Sequence, residues 1–148
     1  MSIINLSNNI FKKCFVKNNN PKFNDIGKIL KLYKKNDWKN YLISDNIIVN
    51  NNFTYYKYKI PITNNLFELY LLKWYPSSVT PIHNHPYNNG CVMKILHGKL
   101  IENVYKNNNY QLFTNTYKKN DIFFIDNKLL HRVYNNTRYI SYSLHLYY

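Results

Sequence analysis

Hydrophobic positions follow two different periods along this chain. Over residues 7–15, Ile10, Phe11 and Cys14 recur at helical spacing behind Ser7 as a cap, which predicts a short helix. Asp25 opens a stronger one, in which Ile26, Ile29, Leu30 and Tyr33 form one apolar stripe while Lys28, Lys31, Lys34 and Lys35 take the other side. Residues 37–42 add a further turn before the polar run 50–52. All of these read as packing elements. From Phe53 onward the period shortens to two, and residues 53–60, 67–74, 91–96, 99–105, 110–117, 121–125 and 139–147 read as strands between short Asn, Pro or Gly turns. Gly98 and residues 107–109 are placed to turn hairpins. So many short strands behind a small helical prelude predict a barrel or sandwich with one apolar and one functional face, and a mouth where a ligand can sit.

Composition adds bounds to that pattern. With 148 residues, 45% of them hydrophobic and 16 Tyr and 8 Phe among them, the chain is expected to form one domain over 1–148, helical over 1–45 and β-rich over 53–148. Three Gly and 5 Pro are few for so many turns, so Asn must take many of them. The net charge of +13 raises the question of nucleic acid. The lysines, however, are scattered from Lys12 to Lys128 with no Arg cluster and no recognition motif, so nucleic acid is not the expected partner, whereas anionic small molecules should be attracted. Two cysteines, Cys14 and Cys91, exclude a disulfide scaffold. No stretch reads as a signal peptide or reaches the length of a membrane span. The expectation is a soluble, monomeric protein of the cytoplasm.

Candidate chemistry sits in residues 81–98, PIHNHPYNNGCVMKILHG. His83 and His85 stand at i and i+2, and in an extended segment both imidazoles leave the same face, as two ligands for one divalent transition metal would. A further histidine, His131, follows a strand within residues 120–135, NDIFFIDNKLLHRVYN. Ser143, His145 and Tyr147 alternate along the last strand and so share one face.

An HxH segment completed by a single later histidine in a strand-rich chain resembles the two-motif pattern of the cupin superfamily. No Asp or Glu lies between His85 and Gly98 to add a carboxylate ligand, which leaves a three-histidine set. With Cys91 in CVMKILHG, His131 in LHRVYN and the segment SLHLY, the chain resembles the cysteine dioxygenase family of thiol dioxygenases from about Tyr55 to Tyr147. The resemblance implies a mainly β, cupin-type small β-barrel of jelly-roll-like form with a short helical N-terminal segment. It implies Fe(II) held by His83, His85 and His131, and oxidation of L-cysteine by O₂ to cysteine sulfinic acid. Tyr147, His145, Cys91 and Ser143 would serve catalysis, with a thioether joining Cys91 to Tyr147. Lys57, Tyr55 and Trp74 would meet the substrate. Three neutral histidines on one face of iron leave room for a thiolate, an amine and O₂ together.

The chain departs from that pattern in three places. Lys57, with Lys59 as the fallback, stands where the family has Arg, which exchanges a planar bidentate fork for a point charge. The loop from His85 to Cys91 is one residue longer than the vertebrate-type pattern. The sequence also ends at Tyr148, where many members continue into further strands, so that end of the barrel would be more open or closed by a partner subunit. Other readings stay open: a dioxygenase for 3-mercaptopropionate or cysteamine, a cupin binding Zn²⁺, Ni²⁺ or Mn²⁺ without oxygenase activity, or a basic nucleic-acid-binding domain with incidental histidines. Cys91 has a plain alternative as a buried packing residue.

Overall fold

Ile3, Leu6 and Ile10 are spaced three and four apart, and all three are buried. They set helix α1 (Ile3–Ile10), whose first turn is capped by Ser2, its Oγ accepting from Asn5 N–H at 3.2 Å. The helix therefore starts earlier than the pattern behind Ser7 suggests; Ser7 lies on its buried face, and residues 11–15 continue as a π-helical turn that buries Cys14 and Phe15. Helix α2 (Phe23–Leu32) buries Ile26, Ile29 and Leu30, followed by 3₁₀ turns at Asp37–Tyr41 and Ser44–Asn46. The computed structural model describes residues 1–16, 21–50, 55–86 and 89–148, so Phe53, where the extended pattern begins, lies outside them.

Nine strands follow: β1 (Ile47–Asn50), β2 (Tyr55–Ile60), β3 (Glu68–Trp74), β4 (Gly90–His97), β5 (Lys99–Asn107), β6 (Tyr110–Lys118), β7 (Ile122–Asp126), β8 (Leu130–Tyr134) and β9 (Ser141–Tyr147). They form two antiparallel sheets, ordered β1-β2-β3-β9-β4-β7 and β6-β5-β8. The result is mainly β and jelly-roll-like, with no closed barrel among the described residues. Residues 107–110 close a hairpin between β5 and β6, where Asn107 Oδ1 accepts from Asn109 N–H at 3.1 Å. Gly98 does something else. At φ 76° it carries the chain from β4 in the large sheet to β5 in the small one, and a Cβ there would run into Ser141.

Two strands escape the sequence pattern. β1 was hidden because the polar run that follows it reads as loop. β8 was hidden because its alternation is spread over only five residues, so His131 lies within a strand of its own rather than after one.

The large sheet is covered on both faces. Leu69, Leu71, Val92, Leu144 and Leu146 pack under the helices, while Leu72, Trp74, Met93 and Ile95 face the small sheet together with Leu100, Val104 and Val133. This double burial explains the nearly unbroken apolar runs in β3, β4 and β9. Lys94 is the exception within β4. It is 1% exposed, and its Nζ donates to the carbonyls of Leu30 at 2.8 Å and Tyr33 at 2.5 Å, closing the C-terminal end of α2. Burial pulls its pKa down from 10.5 to about 8.

Lys94→Met is expected to cost about 1–3 kcal/mol by orphaning those carbonyls, read from urea unfolding. Between pH 8 and 10.5 the unfolded chain still holds a proton that folded Lys94 has released. The wild type should therefore gain stability relative to Lys94→Met as pH rises through that window.

Candidate metal centre

The segment carrying His83 pairs with β8 at a single bridge. His83 N–H donates to His131 O at 2.9 Å and His131 N–H to His83 O at 2.8 Å, so the two side chains stand next to one another. His83 thus belongs to an isolated bridge rather than to the regular strand its spacing suggests. His85, two residues on, completes the group. The ring centroids lie 4.6 to 5.1 Å apart, and one ring nitrogen from each histidine falls within 4.8 Å of the other two.

The remaining ring nitrogens identify the free ones. His83 Nδ1 lies 2.9 Å from Pro81 O, and His131 Nδ1 lies 2.8 Å from Glu102 Oε1. Both Nδ1 atoms therefore carry the proton, and both Nε2 lone pairs turn inward, where His85 Nε2 meets His131 Nε2 at 3.0 Å. Burial, reinforced by the neighbouring imidazoles, lowers the His83 pKa and pulls His85 down to about 3, which keeps these rings neutral at neutral pH. Three imidazole donors in one cluster fit a transition metal.

Glu102 is a site residue that the spacing of histidines does not reveal. It is 1% exposed on β5, and its second oxygen accepts from Tyr117 Oη at 3.0 Å, which in turn accepts from Asn115 Nδ2 at 2.9 Å. A lone carboxylate in the apolar run of β5 was the available signal. Glu102→Gln should lower metal affinity about 10–100-fold in a chelator competition, because it loosens the orientation and basicity of His131.

A cavity of about 300 Å³ opens onto the histidines, lined among others by Tyr55, Lys57, Glu68, Tyr70, Trp74, His145 and Tyr147. The expected row on β9 is present. Trp74 Nε1 donates to Ser143 Oγ at 2.8 Å, Ser143 Oγ lies 2.8 Å from His145 Nε2, and His145 Nδ1 lies 3.4 Å from Tyr147 Oη and 3.7 Å from Cys91 Sγ. With Trp74 donating to it, Ser143 can donate its own hydroxyl hydrogen bond to His145 Nε2, leaving the Nδ1 proton of the neutral ring aimed at Tyr147. Burial holds His145 well below its usual range and Tyr147 well above its own. The Tyr147 ring stands 5.2 Å from that of His85.

Cys91 faces Tyr147 directly across the β4/β9 ladder, fully buried, with its thiol pushed up to about 12 by that burial. Tyr55 stacks on Trp74 at 5.1 Å. Lys57 points into the cavity, whereas Lys59 pairs with Glu68 at 2.8 Å.

A jelly-roll-like sandwich with three convergent imidazoles beside a small polar cavity defines a cupin with a candidate metal centre. Solved structures share that fold: the Schizosaccharomyces pombe Cnp3 cupin domain (14% identity, TM-score 0.54, covering 63% of this chain and 59% of that one), oxalate oxidase in complex with glycolate (18%, 0.57, 72% and 59%) and Bacillus subtilis oxalate decarboxylase (17%, 0.56, 68% and 27%). This chain therefore spans 59%, 59% and 27% of the lengths of those neighbours. Residues 3–148 match the family cysteine dioxygenase type I, and the chain belongs to it. No helix among the described residues is long and apolar enough to cross a membrane.

Proposed function

We propose that this protein is a non-haem Fe(II) thiol dioxygenase that converts L-cysteine and O₂ to cysteine sulfinic acid. The observation that carries the reading is the gathering of the His83, His85 and His131 nitrogens beside the His145–Tyr147 row within one cavity. Family membership supports thiol oxidation. Imidazole donors suit iron without excluding other transition metals.

In this reading His83, His85 and His131 would hold the ion, which would lower the pKa of the substrate thiol and bring O₂ beside it, while the substrate sulfur gives up the four electrons that place both oxygen atoms on it. The chain does the rest. Lys57 receives the substrate carboxylate; its ammonium is in the cavity wall and forms no ion pair among the described residues. Tyr147 offers its hydroxyl to the reacting thiol side, held by His145, which Ser143 and Trp74 fix in turn. The apolar surroundings of Cys91 and Trp74 exclude water. The cross-strand pairing of Cys91 with Tyr147 also supports a thioether between sulfur and ring carbon, formed with loss of one hydrogen from each side chain to O₂ as oxidant. Intact-mass analysis of active protein lacking that loss of two hydrogens would remove the cross-link.

The test of function is anaerobic loading with Fe(II), then exposure to air with cysteine, 3-mercaptopropionate or cysteamine and identification of products. Cysteine sulfinic acid should dominate. Faster turnover of cysteamine, which has no carboxylate, would remove the role given to Lys57.

A further inference from the structure

The carboxylate receptor in this cavity is a lysine, and a lysine is a poor receptor unless something holds it. Its four-carbon stem loses substantial rotamer freedom when fixed, which subtracts from the affinity of whatever it binds. Lys57 is partly buried on β2, diagonal to Tyr70 on β3 across the register Lys57↔Leu72. Its Nζ lies 4.0 Å from the centroid of the Tyr70 ring and 4.7 Å from that of Tyr147, and those two rings meet edge to face at 5.6 Å. The ammonium is thus cradled by two aromatic groups that are themselves packed together.

Tyr70 is in turn held from below. It is 7% exposed, and its hydroxyl donates to Glu68 Oε2 at 2.7 Å, while Lys59 Nζ holds the other oxygen, Oε1, at 2.8 Å. Glu68 is the one acid among the described residues lining the cavity. With both oxygens engaged by Tyr70 and Lys59, it is kept from capturing Lys57, whose charge stays available to a ligand.

We propose that Tyr70 is a positioning residue for Lys57, with Glu68 as its lock. The aromatic cradle turns a flexible ammonium into a fixed receptor for the carboxylate of a small thiol acid. This rests on the dioxygenase reading for what the ligand is, though not for how Lys57 is held.

Two readouts separate the claims: anaerobic calorimetric titration of Fe(II)-loaded protein with 3-mercaptopropionate or cysteamine, and steady-state oxygen uptake with the same thiols. Tyr70→Leu should weaken binding of 3-mercaptopropionate about tenfold and raise its KM by the same factor while leaving cysteamine binding at the wild-type level; a change in kcat through the Tyr70–Tyr147 edge contact would be shared by both thiols. Tyr70→Phe keeps the ring but frees Glu68 to pair with Lys57. It should weaken the acid as well, and adding Glu68→Gln should restore it, a rescue that general loosening of the fold would not give. Equal weakening of binding for both thiols, no weakening for either, or no rescue by Glu68→Gln would overturn the proposal, as would wild-type protein that fails to bind the acid. Wild-type protein that binds the acid but consumes no oxygen with any thiol would sink the dioxygenase reading and leave the role of Tyr70 standing.

Discussion

Alanine at His83 is expected to empty the metal centre while leaving the fold intact. The ring is half-buried, and its Nδ1 has only a backbone carbonyl as partner, so its removal should change the stability of the metal-free protein by about 1 kcal/mol or less. Metal affinity should fall by more than about 100-fold, beyond what loss of an outer partner such as Glu102 costs, because two nitrogens cannot replace three. Thiol-dependent oxygen uptake should vanish with it. His131→Ala should lose the metal too, but also about 1–3 kcal/mol of stability, since it strands a buried Glu102 oxygen. Metal content after dialysis and thermal unfolding of the metal-free variants check both halves. Retention of a full equivalent by His83→Ala would show that the three rings do not share one ion.

The second large effect concerns Trp74. It is 1% exposed between the sheets, stacks on Tyr55 and donates to Ser143, so one side chain links packing to the hydrogen-bonded row of Ser143, His145 and Tyr147. Trp74→Ala should cost about 3–5 kcal/mol in denaturant unfolding. Trp74→Phe keeps most of the aromatic volume and removes the donor, so it should be much milder in stability, about 1 kcal/mol. It should slow turnover through Ser143 and His145 without shifting metal affinity. A Trp74→Phe variant with wild-type kcat would separate the Trp74–Ser143 hydrogen bond from catalysis.

The row Ser143, His145, Tyr147 was readable because strand alternation alone puts three side chains on one face, and the β9 register bears that out. Lys57 was legible only by resemblance and spacing; the Tyr70 ring beside its ammonium and the Glu68 carboxylate bonded to that ring's hydroxyl lie on the neighbouring strand, which no local pattern encodes. His83 and His85 carried the right spacing for an incomplete reason, since their segment meets β8 at one bridge instead of running as a strand. Glu102 and Lys94 are charged residues in strands that otherwise read as core. Each has a buried partner far away in sequence, which is why charge in an apolar run marks such a position without saying what it meets. Gly98 reads as a hairpin turn from its neighbours, and only the pairing of β4 with β7 and β9 shows that it turns the chain between sheets instead.

The most direct test of thiol oxidation at the three-histidine centre uses labelled dioxygen. Fe(II)-loaded protein turning over cysteine under ¹⁸O₂ should give a sulfinic acid in which both oxygens carry the label, with one dioxygen consumed for each thiol lost. Unlabelled product, disulfide in place of sulfinate, or oxygen uptake unchanged by His83→Ala would contradict it.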